Sequence, residues 1–395
     1  MKPLAITHLT LTTALGRGLD EHLQALEAGR SGLAPCRFMD VTLPGWVGEV
    51  AGVDDVALPA SLAAAHDCRN NRLAWLGLQA DGLIDAVTQA RQRWGARRIA
   101  VLLGTSTSGI LSTELAYRRR GPDGALPTDF HYAQTHNTFS LAGFVAEALG
   151  LQGPAWVVST ACSSSAKVFA SAQRLIDAGW VDAALVGGVD SLCLTTLYGF
   201  NSLELFAGEI CRPWDAQRKG LSIGEAAAFA LLQREPVDAP AAWLLGSGES
   251  NDGHHMSSPH PEGVGAIAAM RQALAEAGLQ PEQIDYINLH GTATPNNDAA
   301  EDRAVFSVFG DRVPASSTKG ATGHTLGAAG GVEAAISVLA LRHGLMPGGL
   351  NLRERDPALH IQYLTENRRA PLRRVLSNSF GFGGSNASLI FGAAP

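Results

Sequence analysis

Cys162, His290 and His324 are the residues whose types and surroundings suggest chemistry. Cys162 stands in STACSSSAKVFASAQRLI, where an apolar run passes through small residues into a helical pattern. A thiol at the start of a helix meets unpaired N–H groups and the positive end of the helix dipole. Both lower its pKa, and the same N–H groups cradle a developing oxyanion. His290 closes the strand-like IDYINLH and is followed by GTATPNND; His324 lies 34 positions later (324 − 290) in SSTKGATGHTLGAAGG. A single cysteine in such a turn is more often a small buried hydrophobe, and a lone loop histidine more often a hydrogen-bonded structural residue. Two histidines and a cysteine in matching strand-to-helix contexts instead point to a nucleophile served by two imidazoles.

The elements that must position them alternate between β-rich runs and helical patterns. Strands are expected over 98–104 (RIAVLLG), 155–159, 183–189, 284–289 and 314–317, and helices over 162–178, 298–309 and from about 326 to 343. Such alternation predicts an α/β protein with parallel strands, whose sites gather at strand C-terminal edges. The stretch REPVDAP (234–240), with two prolines and three charges, reads as a linker, so the chain divides into units 1–238 and 239–395. The letters show no internal repeat. Forty-four glycines and runs such as 327–331 predict elements packed backbone against backbone.

Composition narrows the function classes. A net charge of −7 argues against general affinity for nucleic acid or anionic membrane. The opening MKPLAITHLTL lacks a signal-peptide pattern and no apolar stretch approaches membrane-span length, which makes cytoplasmic residence the expectation. Five scattered cysteines without a CxxC pair indicate neither a disulfide framework nor a zinc site. NDGHHMSSPHP (251–261) has three histidines but no ligand spacing, so it reads as a loop and no metal is expected.

Five blocks in order, STACSSS, CRPWDAQRKG, HGTATPNND, STKGATGHTLGAAGG and SNSFGFGGSN, resemble the β-ketoacyl-acyl-carrier-protein synthases of the elongating, Cys-His-His kind. The resemblance spans nearly the whole chain. It implies a thiolase-like five-layer αβαβα sandwich made of two similar halves. It also implies a 3-oxoacyl-acyl-carrier-protein synthase that needs no cofactor beyond the phosphopantetheine arm of its acyl carrier protein. Cys162 would take the acyl group, the N–H groups of Cys162 and Phe382 would form the oxyanion hole, and His290 and His324 would stabilise the enolate left when malonyl-carrier protein loses carbon dioxide. Lys319 and Glu333 match family positions near the site, although Glu333 reads equally as a helix glutamate paired with some cation. The resemblance makes Phe382 a gate with Phe380 packed beside it, and gives Thr292 and Thr294 to the pantetheine amides. Partners implied are the acyl carrier protein and a second subunit, as a homodimer or a heterodimer with a related chain.

Departures from the family pattern limit how finely the enzyme can be named. His8 and other bulky residues replace a glycine-rich opening, GEAAA (224–228) replaces GEGAG, and Lys219 stands where an Asp is common. Thr107, in GTSTSGI, falls approximately where elongating relatives place a residue bounding the acyl pocket. Arg118–Arg120, or Arg69 with Arg72, are candidates for docking an acidic carrier protein. A thiolase would need a second cysteine where Phe382 stands, an initiating synthase an asparagine where His324 stands, and a Cys-His hydrolase leaves the second histidine and Lys319 idle. A non-catalytic chain-length partner would have lost the nucleophile. HNTFSLAGF, the STACSSS variant and the opening favour a dedicated type II polyketide or polyene pathway, of aryl-polyene kind, over primary fatty-acid elongation.

Overall fold

The computed structural model describes residues 2–236 and 238–395; Val237, inside the expected linker, lies outside the described residues. Ten strands form the main sheet path: β1 (Leu4–Thr13), β2 (Ile99–Gly104), β3 (Ala155–Val158), β4 (Ala183–Asp190), β5 (Ala226–Gln233), β6 (Ala242–Asn251), β7 (Tyr286–Asn288), β8 (Ala315–Ser316), β9 (Arg374–Gly381) and β10 (Ser385–Gly392). Their spatial order is β8-β7-β9-β10-β6-β1-β5-β4-β2-β3. Each half therefore repeats one pattern, with its first strand at the middle of the molecule and its second and third at the outer edge. The pairings repeat too: β2 is parallel to β3 and β4, and β7 to β8 and β9, while the remaining pairs are antiparallel. A duplication invisible in the letters is thus plain in the topology.

The helices used below are α1 (Arg69–Leu78), α2 (Leu83–Trp94), α3 (Ile110–Arg118), α4 (Ser140–Leu149), α5 (Ser164–Asp177), α6 (Leu194–Ser202), α7 (Val264–Ala277), α8 (Pro295–Phe309) and α9 (Ala329–His343). Strands buried on both faces read as continuous apolar runs, and β2 shows why. Ala100 and Leu102 face a central core shared with α5 and α9, whereas Ile99, Val101 and Leu103 face an outer core made with α1, α2 and α4. In the second half Val375 and Leu389 face the same central core, and Leu376 and Ile390 face α7 and α8. The result is the five-layer αβαβα sandwich of the thiolase-like fold.

The central layer explains the glycine runs. A Cβ on Gly330 of α9 would lie 2.5 Å from the Ala166 nitrogen of α5, so the two helices approach backbone to backbone. Phe169 of α5 meets Phe391 of β10 edge-on at 6.0 Å, tying one half to the other.

Element boundaries differ from the sequence reading at informative places. α5 begins at Ser164, not at Cys162, which leaves the cysteine in a turn whose preceding residue, Ala161, has φ 52°. α8 begins at Pro295, three residues early, because proline at a first helical position loses no hydrogen bond. The segment expected as helix from 326 opens with a 3₁₀ turn, Leu326–Ala328, before α9.

Candidate active site

The turn after β3 carries Cys162, the loop after β7 carries His290, and the loop after β8 carries His324, all beyond strand C-terminal ends. The fold brings the three side chains together and buries them. His324 Nε2 lies 2.9 Å from Cys162 Sγ, and the two imidazoles meet edge-on with ring centroids 5.3 Å apart. Gly381 shows how tightly β9 closes on the Cys162 turn, since a Cβ there would lie 2.7 Å from the Thr160 carbonyl. This approach aims the Phe382 N–H at the Cys162 sulfur.

Burial pushes the Cys162 thiol up to about 12, against the pull of the Lys319 charge and the Phe382 N–H. The helix start is expected to lower the thiol pKa; burial outweighs it, so the thiol keeps its proton and needs a base. His324 Nε2 is in place to take it. Burial first, then the Lys319 charge, lowers both histidines well below 6.5, so both are neutral imidazoles.

Lys319 and Glu333 belong to the same cluster. Lys319 Nζ donates to the His290 carbonyl at 2.5 Å and to Glu333 Oε1, and lies 3.5 Å from His290 Nδ1. An ammonium group only donates, so His290 Nδ1 must be the acceptor nitrogen and the proton sits on Nε2. Ser379 Oγ donates to Glu333 at 3.3 Å, completing the cluster. Burial raises the Glu333 carboxyl to about 7, opposed by Lys319.

Two spaces meet at Cys162. A cleft of about 140 Å³ is lined by Thr292, Thr294, His290, His324, Phe380 and the 257–259 turn, among others. On the far side lies a more apolar cavity of about 410 Å³, bounded by Ser106, Ala161, Phe200, Leu203, Leu326 and one face of α6. Phe382 borders both, and its ring packs on Phe200 at 5.5 Å. Phe380 is buried beside His290, ring centroids 5.9 Å apart. Thr292 and Thr294 hydroxyls bond one another at 2.9 Å at the cleft wall.

Other expectations are corrected. Thr107 does not line the cavity; its N–H and Oγ1 both donate to buried Asp190 at 2.9 Å, and Ser106 takes the lining position. Arg69 is no docking residue, because it is buried against Glu225, with Asp54 and Glu49 beside it. Glu225 of GEAAA is thus a structural acceptor, while Lys219 is exposed near Glu209. Arg72, Arg118 and Arg119 are surface ion-paired with Asp67, Asp40 and Asp129, and Arg120 rests over Tyr117. His8 lies exposed at a register irregularity of β1.

The sequence reading missed Glu301, Asp190 and Asp252. Glu301 accepts the His290 and Gly291 N–H groups at 2.8 and 2.7 Å, fixing the loop that aims His290. Asp252 accepts His260 N–H and Asn386 Nδ2, folding the histidine-containing loop into the cleft wall. A carboxylate eleven residues after a histidine on the next helix was the available signal for Glu301.

A buried thiol with a neutral imidazole at hydrogen-bond distance, an aimed backbone N–H and a cavity on either side is an arrangement suited to acyl transfer. The comparisons agree: residues 1–237 match the β-ketoacyl synthase N-terminal domain and residues 241–353 its C-terminal domain. The chain belongs to the β-ketoacyl synthase family, whose members are acyltransferases of the condensing type. It is 31% identical to 3-oxoacyl-[acyl-carrier-protein] synthase 2 of Coxiella burnetii, over 98% of this chain and 97% of that one. It is 33% identical to nodulation protein E of Rhizobium meliloti over 98% of each. Among solved structures it matches a ketosynthase in complex with its chain length factor, from Xenorhabdus doucetiae, with TM-score 0.91, 40% identity and coverage of 99% and 98%.

Proposed function

We propose that this 3-oxoacyl-acyl-carrier-protein synthase carries its acyl group on Cys162 and condenses it with malonyl-carrier protein in a dedicated type II polyketide or polyene pathway. The 2.9 Å contact between Cys162 Sγ and His324 Nε2 carries the reading. The thiol attacks the acyl thioester, its proton passes to His324 and on to the departing pantetheine thiolate, and acyl-Cys162 forms. Malonyl-carrier protein follows along the cleft past Thr292 and Thr294. Loss of carbon dioxide leaves an enolate whose oxygen takes the Nε2–H of His290, and His324, its own proton moved from Nδ1 to Nε2 after loading, is the second donor. The enolate carbon attacks the acyl carbonyl. The N–H groups of Cys162 and Phe382 hold the tetrahedral oxyanion, the Cys162 thiolate leaves and takes up a proton from solvent to restore the thiol, and the 3-oxoacyl thioester departs. Lys319 and Glu333 are positioning residues, acting through His290.

The half-exposed edge strand β3, together with the exposed apolar side chains of Phe139, Tyr198 and Leu203, supports pairing with a second subunit. The Xenorhabdus ketosynthase was solved with a chain length factor, which supports a related chain as that subunit and favours the dedicated pathway. Intact-protein mass spectrometry with a panel of acyl-carrier thioesters tests the mechanism. Acylation is expected in wild type, absent in Cys162→Ala, and discharged by malonyl-carrier protein. Loading that persists in Cys162→Ala would refute it. Full rescue of growth and normal fatty acids in a strain lacking its elongating synthase would refute the dedicated pathway.

A further inference from the structure

The wall of the apolar cavity beyond Cys162 is one face of α6. Thr195, Thr196, Gly199, Ser202 and Leu203 line it, at the spacing of residues that share a helix face, while Leu194 and Leu197 on the opposite side are buried against Phe38, Leu111 and Phe206. The helix is held by its back and presents mostly small residues to the cavity. Gly199 sits in the middle of that face, where a glycine costs helix stability relative to alanine.

Packing does not require it. A Cβ on Gly77 of α1 would lie 2.7 Å from Ala227 Cβ, and one on Gly330 of α9 would strike α5, so those helical glycines are forced by their neighbours. A Cβ on Gly199 meets no heavy atom within 4 Å. Its backbone is helical and needs no positive φ. What the missing side chain preserves is space, and that space belongs to the cavity that opens at the sulfur of Cys162.

We propose that Gly199 is the specificity-determining residue of the acyl cavity, its missing side chain leaving room for the long, extended acyl chain carried on Cys162. The proposal rests on Cys162 being the acyl-bearing residue. Bulk at 199 shortens the cavity from its side wall, without touching Cys162, His290 or His324.

The test uses the full chain, together with its partner subunit where one is needed, as wild type and as Gly199→Ala, Gly199→Leu and Gly199→Phe. Each is loaded with straight-chain acyl-carrier thioesters of increasing length, followed by intact-protein mass spectrometry, with light scattering for oligomeric state. Gly199→Phe should load the shortest acyl groups at the wild-type rate and the longest accepted one about tenfold more slowly or worse. Gly199→Leu should move the cut-off less. Gly199→Ala should melt no lower than wild type, as the helix gains a better former. An unchanged cut-off in Gly199→Phe, a loss uniform over chain length, or a changed oligomeric state accompanying the loss would each overturn the proposal. Wild type that takes no acyl group on Cys162 would overturn the underlying reading instead, and the unmutated control makes that failure distinct.

Discussion

β2 and β7 occupy the same place in the two halves, yet the loops that follow them do opposite things. Both are pinned by a buried carboxylate that accepts backbone N–H groups. After β2, Asp190 accepts the Ser106 and Thr107 N–H groups and the hydroxyls of Thr105, Ser106 and Thr107, and it also accepts the Gly327 N–H from the other half. After β7, Glu301 accepts only the N–H groups of His290 and Gly291 from the loop, and the imidazole stays free to face the cleft. The duplicated scaffold has specialised: one loop spends its polar groups on anchoring, the other keeps one for chemistry. Cys162 and His324, after the equivalent strands β3 and β8, complete the pattern, with the thiol from one half and both imidazoles from the other.

The largest effect expected from this contrast is on decarboxylation. Ser106 and His290 each stand two residues past the end of their strand. His290→Ala should slow release of carbon dioxide from malonyl-carrier protein by about 10²- to 10⁴-fold, whereas Ser106→Ala should leave that rate near wild type. Labelled carbon dioxide release measures both. Equal losses would break the division between an anchoring and a catalytic loop.

Next in size is stability. Asp190→Ala strands several buried donors at once, and we expect a loss of about 3 kcal/mol in urea unfolding. Glu301→Ala should cost a comparable amount and additionally depress decarboxylation, since its loop carries His290. A Glu301→Ala protein with wild-type decarboxylation would remove Glu301 from any positioning role.

These two carboxylates also mark the limit of what the sequence made legible. Cys162, His290, His324, Lys319, Glu333 and Phe382 were singled out because local blocks of letters announce them, and the fold gathers them in one place. Asp190 and Glu301 act on backbone N–H groups that are remote or on another element, a relation with no local signature. Thr107 was misplaced by one residue, and in a loop one residue decides which way a side chain points: Ser106 borders the cavity and Thr107 turns to Asp190. Arg69 looked like surface charge in a run of polar letters, but Glu225, 156 positions away, draws it inside. The two-fold repeat escaped notice because topology persists where side chains have diverged.

The smallest effect expected is on pH dependence, and it tests whether the catalytic half keeps its imidazoles neutral. Burial and the Lys319 charge lower both histidines in the folded protein below the ordinary 6.5. As pH falls through 6.5, the unfolded chain takes up protons at these positions while the folded chain does not. The unfolded state then binds more protons, so stability must fall with pH across that window, by up to about 1.4 kcal/mol per pH unit for each histidine. Wild type should therefore lose more stability between pH 7 and pH 5.5 than His290→Asn or His324→Asn, as read from urea midpoints. Decarboxylation should hold level through pH 6.5, because the Nε2–H donor of His290 is already in its working form there. A rate that halves at pH 6.5 would mean that His290 titrates like a free imidazole, and the Lys319 contact would then not be setting its proton.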